Sequence, residues 1–234
     1  MCEIADDGLI EKMLYPADLE KYLRAAGLPI RDLQDSRSII YILDADSRIV
    51  FCNWAWDRFA AQNKGVNLSH LSVLGKSVLD VVPDALQLFY RTAYATARKS
   101  GQPWIHNFEC SSPETFRLFH MRVLPIGGPY LCVENSLRIE RLHEPDRAEI
   151  HPVASRYVDE NGVVVMCSHC RRTRQVRNIG SPRWAWIPAF LNAPPGEVTP
   201  ELCDLCVRFF YPVTDEGMAD SWASRNETDT SADK

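Results

Sequence analysis

Long apolar runs are missing from this 234-residue chain. None approaches the roughly 18–20 residues that a membrane-spanning helix needs, so no such span is expected. A surplus of positive charge is missing too: 26 Lys and Arg stand against 31 Asp and Glu, a net charge of −5. That balance gives no global attraction to nucleic acid or to an anionic membrane. The N-terminus, MCEIADDGLIEKM, has neither the basic start nor the apolar stretch of a secretory leader; a cytoplasmic location is expected. Enzyme signatures are absent as well, with no G-x-x-x-x-G-K-[ST], G-x-S-x-G or H-E-x-x-H, and the expectation is a non-enzyme. Apolar residues at 46% and charged residues at 24% argue against wholesale disorder, collagen or a coiled-coil rod. What is present in excess is cysteine: eight in all. In a reducing compartment, clustered cysteines more often bind metal or do redox chemistry than form disulfides.

Residues 16–27, PADLEKYLRAAG, carry the marks of a short helix, with Pro16 in the first turn, Gly27 at the stop and Leu19, Tyr22, Leu23 and Ala26 on one face. That face must dock on the following domain or on a second subunit. From Ser38 the run SIIYILDADSRIVFCN reads as a β-hairpin turning at Asp44–Ser47, and Asn53 stands where the N-cap of the next helix belongs. Residues 66–84 read as loops. A longer helix follows, in which Leu86, Phe89, Tyr90, Ala93 and Ala97 repeat at helical spacing before Gly101. Strands are expected at 104–110, at 115–126 and from Tyr130. The order β-β-α-α-β-β-β predicts one antiparallel sheet partly covered by helices, an α+β arrangement.

This order resembles the PAS domain, as do Leu43–Ala55 at the first hairpin, Leu74-Gly75-Lys76-Ser77 and Asp80-Val-Val-Pro83 before the long helix. The resemblance covers about residues 37–140. It departs at Ser47, where the family commonly has Gly. It implies a sensor or dimerisation domain with a five-stranded antiparallel sheet. Heme-binding members supply a histidine from the long helix, and Asp84–Ser100 contains none; the Asn-Cys-Arg-Phe-like segment of flavin-adduct members is also absent. Neither heme nor flavin is therefore expected. Phe59, Phe89, His106, Phe119, His120 and Met121 are candidates to line a ligand pocket; the phenylalanines and Met121 could equally fill the core.

Residues 141–155 read as a linker, and Tyr157–Met166 as a second hairpin with Asn161-Gly162 at its turn. Then come Cys167-Ser-His-Cys170 and Cys203-Asp-Leu-Cys206, two C-x2-C units 32 residues apart. Two residues between cysteines let both thiolates of one turn point at one ion, and two such turns complete a tetrahedral S4 site. Zinc is the first expectation, iron with the same ligands the alternative, and a dithiol redox pair a third; His169 could replace one cysteine, but is expected to point away. The segment has few large apolar residues, so it needs a staple. With Trp186-Ile-Pro188 and Tyr211-Pro212, it resembles a small cysteine-rich, zinc-ribbon-like segment found beside PAS domains in bacterial signalling proteins, which implies an accessory signalling module over 156–213.

Arg171, Arg172, Arg174, Arg177 and Arg183 run without an intervening acid. They could meet phosphates, with Trp184 and Trp186 offering stacking surfaces; equally, they could balance the thiolate charge. Nucleic acid is not the expected partner. His106 and His120 lie equidistant from Pro113 and would face each other as a metal or pH-sensing pair if the hairpin were centred there, whereas a one-residue slip would separate them. Cys52, Cys110 and Cys132 sit on expected strands as packing residues. The domain plan is a helical segment at 1–36, a sensor at 37–140, a linker, the metal module, and an acidic disordered tail at 214–234. The functional expectation is a regulatory homodimer, joined through the sensor domain and the N-terminal helix, whose zinc module presents a surface to an unidentified protein partner.

Overall fold

The computed structural model describes residues 15–63, 65, 67–112, 114–143, 151–176 and 182–211. Arg177, residues 144–150 of the expected linker, and the 214–234 tail lie outside the described residues. Among the described residues two short helices come first, α1 (Leu19–Ala25) and α2 (Ile30–Asp35). Strands β1 (Ile39–Leu43) and β2 (Ile49–Cys52) form the expected hairpin. Helix α3 (Trp54–Gln62), the single turn α4 (His70–Val73), a 3-10 turn (Val78–Val81) and the long helix α5 (Asp84–Ser100) follow. The sheet is completed by β3 (Trp104–Glu109), β4 (Thr115–Gly127) and β5 (Tyr130–Leu142). It is five-stranded and antiparallel, in the order β2-β1-β5-β4-β3, with β2 and β3 at its edges. This is a PAS-like fold.

Local chemistry explains the boundaries. The Asp44 Oδ1 accepts the backbone N–H groups of Asp46 (2.9 Å) and Arg48 (2.9 Å), closing the β1–β2 turn. Ser47 sits in that turn at φ 60°, the left-handed region that glycine enters without a Cβ penalty. The family's preference for Gly at this position thus has a backbone cause. Gly101 ends α5 at φ 67°. Asn53 is fully buried and satisfies several elements at once. Its Oδ1 accepts the N–H groups of Ile40 (3.0 Å) and Trp56 (3.2 Å), while its Nδ2 donates to the carbonyls of Leu33 (3.0 Å) and Ser38 (2.8 Å).

The two faces of the sheet bury different partners. Helix α5 and the turns before it cover one face over Leu43, Met121, Val123, Leu131 and Val133. On the other face α1 and α2 pack Leu19, Leu23 and Leu33 against Ile40, Ile42, Phe51 and Ile126. The apolar stripe of the first helix therefore docks on its own sheet. Tyr22 lies over the β4–β5 turn so closely that a Cβ on Gly128 would fall 2.6 Å from its ring, and the Tyr130 hydroxyl donates to Asp18 (2.7 Å).

After β5, which runs two residues into the segment expected as a linker, a 3-10 turn (Ala154–Arg156) leads to a second sheet. Its strands are β6 (Val163–Cys167), β7 (Thr173–Arg174), β8 (Trp184–Ala185) and β9 (Glu197–Glu201), in the order β8-β7-β6-β9. Helix α6 (Pro188–Asn192) precedes β9 and α7 (Asp204–Phe210) follows it. Strand β9 pairs parallel to β6, from Val163↔Glu197 to Cys167↔Glu201; Pro200, which has no N–H to give, is tolerated because β9 is an edge. The first core continues without a break into Cys167, Cys170, Leu202, Cys203, Cys206 and Phe210. Among the described residues no helix is long and apolar enough to cross a membrane.

Candidate metal centre

Strand β6 delivers Cys167 to a tight turn. The Cys167 N–H donates to the Arg172 carbonyl (2.7 Å) and the Arg171 N–H returns to the Cys167 carbonyl (3.0 Å), with Arg171 at φ 61°. The chain leaves as β7 with Cys170 on the inside of the turn. The second pair is built differently from a ribbon turn: Cys203 is the N-cap of α7 and Cys206 lies in its first turn. The parallel register Cys167↔Glu201 brings the two pairs together, and the Cys203 N–H donates to the Cys167 sulfur (3.4 Å).

All four Sγ atoms lie within 4.8 Å of one another, with Cys170 and Cys203 at 3.6 Å. A tetrahedral ion with bonds of about 2.3 Å to sulfur separates its ligands by about 3.8 Å, so the donor set fits one such ion. The four residues are buried, at 0–6% exposure. All the described cysteines are free thiols. Hydrogen bonds from Cys170, Cys203 and Cys206 hold the Cys167 thiol far below its ordinary value, and bonding to Cys167, Cys170 and Cys203 pushes Cys206 far above it. Four sulfurs this close cannot all ionise alone; a divalent cation is their electrostatic complement.

His169 does not join the four sulfurs as a fifth member of the cluster. Its Nδ1 stands 3.3 Å from Cys206 Sγ and its Nε2 accepts the Glu109 N–H at 3.1 Å. Burial holds its pKa down to about 4. The arginine run divides. Arg172 donates to Cys170 Sγ (3.5 Å), Arg174 pairs with Glu201 (2.7 Å), and Arg171 and Arg183 are exposed. Trp186 is buried against His143 (4.4 Å between rings) and Trp184 is half-buried. The two indoles expected as stacking surfaces are therefore packed into the protein.

The module is fastened to the PAS-like domain by aromatic rings. Phe210 meets His169 (4.6 Å), Phe89 (4.9 Å) and His106 (5.3 Å), and the Tyr211 hydroxyl donates to the Ala85 carbonyl (2.7 Å). Phe89 and His106, expected in a ligand pocket, serve this junction. The pairing of His106 with His120 is overturned. The observed register is His106↔Met121 and Asn107↔His120; the loop is not centred on Pro113, and the one-residue slip sends the two histidines to opposite faces. His120 bonds Asn107 (2.8 Å) on the outer face, whereas His106 faces the junction, where burial lowers its pKa to about 4.

A cavity of about 220 Å3 lies in the PAS-like domain, between α3 and the sheet. Phe59 and Phe119 line it, as do Trp56, Phe108, Cys110 and Asn135; Met121 is core instead. Asn135 is 6% exposed and its Oδ1 has no hydrogen-bond partner. No periodicity in the sequence marked Asn135 or Cys110 as cavity residues, because the lining is drawn from α3 and four strands.

No family model matches the chain, and no curated protein matches its sequence. Among solved structures, it is similar to the PAS domain of the Cronobacter turicensis quorum-sensing receptor RpfR in complex with BDSF (18% identity over 45% of this chain and 97% of that one, TM-score 0.37). It is also similar to the PAS domain of nitrogen regulation protein NR(II) from Vibrio parahaemolyticus (19% identity, 46% and 95%, TM-score 0.32). A third similar structure is the PAS domain of Bordetella pertussis BvgS (16% identity, 52% and 86%, TM-score 0.33). Fold and centre together define a PAS-like domain that shares its core with a four-cysteine module.

Proposed function

We propose that this chain is a cytoplasmic regulatory protein of signal transduction, in which the PAS-like domain senses and the four cysteines hold a structural zinc ion that keeps the C-terminal module rigid for a protein partner. The convergence of four buried sulfurs within 4.8 Å carries the reading. Closed S4 burial favours a structural over a catalytic ion, and zinc binding on the order of 10–16 kcal/mol in small metallo-domains is ample to staple this one. The cavity supports sensing: its lining is almost wholly apolar, from Trp56, Phe59, Phe108 and Phe119 among others, so its ligand is a small apolar molecule. On the outer face of the sheet Ile105 and Ile139 remain 56% and 42% exposed, a surface for the homodimer contact.

Elemental analysis and an absorption spectrum of protein purified without added metal test the centre. One zinc per chain and a colourless solution are expected. Bound iron, which the same S4 set can hold, would colour the protein and turn the reading toward electron transfer, and a metal-free dithiol protein would end it. Sedimentation of the wild type beside Ile105→Lys tests the dimer; a wild type that is monomeric at every concentration overturns that part.

A further inference from the structure

One imidazole joins the two modules by hydrogen bonds. Glu109 ends β3, an edge strand of the five-stranded sheet, and an edge leaves backbone N–H groups without a ladder partner. The Glu109 N–H donates instead to His169 Nε2, from the other module. A neutral imidazole carries one proton, and with Nε2 engaged as an acceptor that proton resides on Nδ1. Nδ1–H then points at Cys206 Sγ, 3.3 Å away. The tautomer that satisfies the sheet edge is the one that donates to the cysteine sulfur.

Two further observations bear on the bridge. Its sheet end adjoins the cavity, since Cys110, the residue after Glu109, is part of the cavity wall. Its module end adjoins the aromatic junction, since the ring of Phe210 lies 4.6 Å from His169. A change in how Cys206 is held therefore reaches the sheet edge through one side chain.

We propose that His169 is a positioning residue that makes loading of the four-cysteine centre and docking of the module on β3 a single event. The proposal rests on the metal reading above. With the centre loaded, the ion would fix the Cys206 sulfur beside its three partners, where it anchors the imidazole at Nδ1 and so presents Nε2 to Glu109. With the centre empty, nothing ties the Cys206 sulfur to the other three, the ring loses its fixed anchor, and the module loosens from the sheet edge beside the cavity. Metal status is thereby felt at the wall of the proposed sensing cavity, and by reciprocity a cavity ligand that shifts Glu109–Cys110 alters how tightly the metal is held.

Amide hydrogen exchange at Glu109, read by nuclear magnetic resonance on the full chain, tests this. In the zinc-loaded protein the Glu109 amide is expected to be protected, and stripping zinc with a chelator under reducing conditions to speed its exchange at least about tenfold. Two substitutions separate the halves of the bridge. His169→Gln keeps an acceptor at the Nε2 level and no donor to Cys206; it should hold metal about 10–100-fold more weakly while Glu109 stays protected when loaded. His169→Asn keeps the donor and loses the acceptor; it should hold metal nearly as the wild type does and leave Glu109 exposed to exchange. Equal Glu109 exchange in loaded and stripped wild type, or wild-type affinity in His169→Gln, overturns the proposal alone. A chain that takes up neither zinc nor cobalt overturns the metal reading and the proposal with it.

Discussion

Replacing Asn53 with alanine should cost on the order of 3–5 kcal/mol. The side chain is fully buried and serves two donors, Ile40 N–H and Trp56 N–H, and two acceptors, the Leu33 and Ser38 carbonyls, all at 2.8–3.2 Å. Loss of the N-cap contributes about 1 kcal/mol. Each of the other three groups, buried and left without a partner, adds about 1 kcal/mol or more. Against a typical total of about 5–15 kcal/mol, this one change removes a large share of the stability. Asn53→Asp discriminates the two halves of the network. An aspartate retains the acceptor for both N–H groups, but its second oxygen faces carbonyls that need a donor. Its penalty should therefore shrink at low pH, where the protonated acid donates. Urea unfolding of the full chain, followed by circular dichroism at several pH values, measures both. An alanine variant within about 1 kcal/mol of the wild type would show that the four contacts do not act as a buried network.

Phe210→Ala should destabilise by about 3–5 kcal/mol and split one calorimetric transition into two, since Phe210 links the core of the sheet to the cysteine module; a single unshifted transition refutes that. His106 is held neutral in the folded state, with a pKa near 4 because burial disfavours its charge, while in the unfolded chain it titrates near its ordinary 6.5. Between those values the unfolded state binds the extra proton, so stability falls as pH drops from about 6.5 toward 4. His106→Phe should flatten that part of the stability profile, and parallel wild-type and variant curves would count against it. Cys206→Ser should weaken zinc retention in a chelator competition while Cys110→Ser leaves it unchanged; equal loss in both would remove Cys206 from the ligand set.

Much of the PAS-like domain was legible because its signals are local. Asn53 announces a cap by type and position, Gly101 a stop, and the hairpin turn its Asp44-Ala-Asp46-Ser47. The helix Ile30–Asp35 went unread: it is barely more than a turn, with one buried residue, Leu33, too short for periodicity to register. Register was not legible either. Choosing which residues face one another across β3 and β4 depended on the turn near position 113, and an error of one residue exchanged His106's junction for a pairing with His120. The four cysteines declared themselves by spacing, but not that the second pair would open a helix. His169, enclosed between the first two cysteines, acquires its hydrogen-bond partners only from Glu109 and Cys206, which lie 60 and 37 positions away.

The parallel pairing of β6 with β9 has a consequence for the order in which the molecule assembles. Cys167 ends one strand and Cys203 follows the end of the other, so the two halves of the cluster meet only after about thirty intervening residues have closed a loop and the parallel register has set. Such non-local pairing is slow compared with helix or hairpin formation. During synthesis all five strands of the first sheet have been made before the second C-x2-C unit exists, since β5 ends at Leu142 and Cys203 comes later. The sheet edge at Glu109 and the rings of Phe89 and His106 thus wait as a preformed template, and the module matures against a folded neighbour rather than alone.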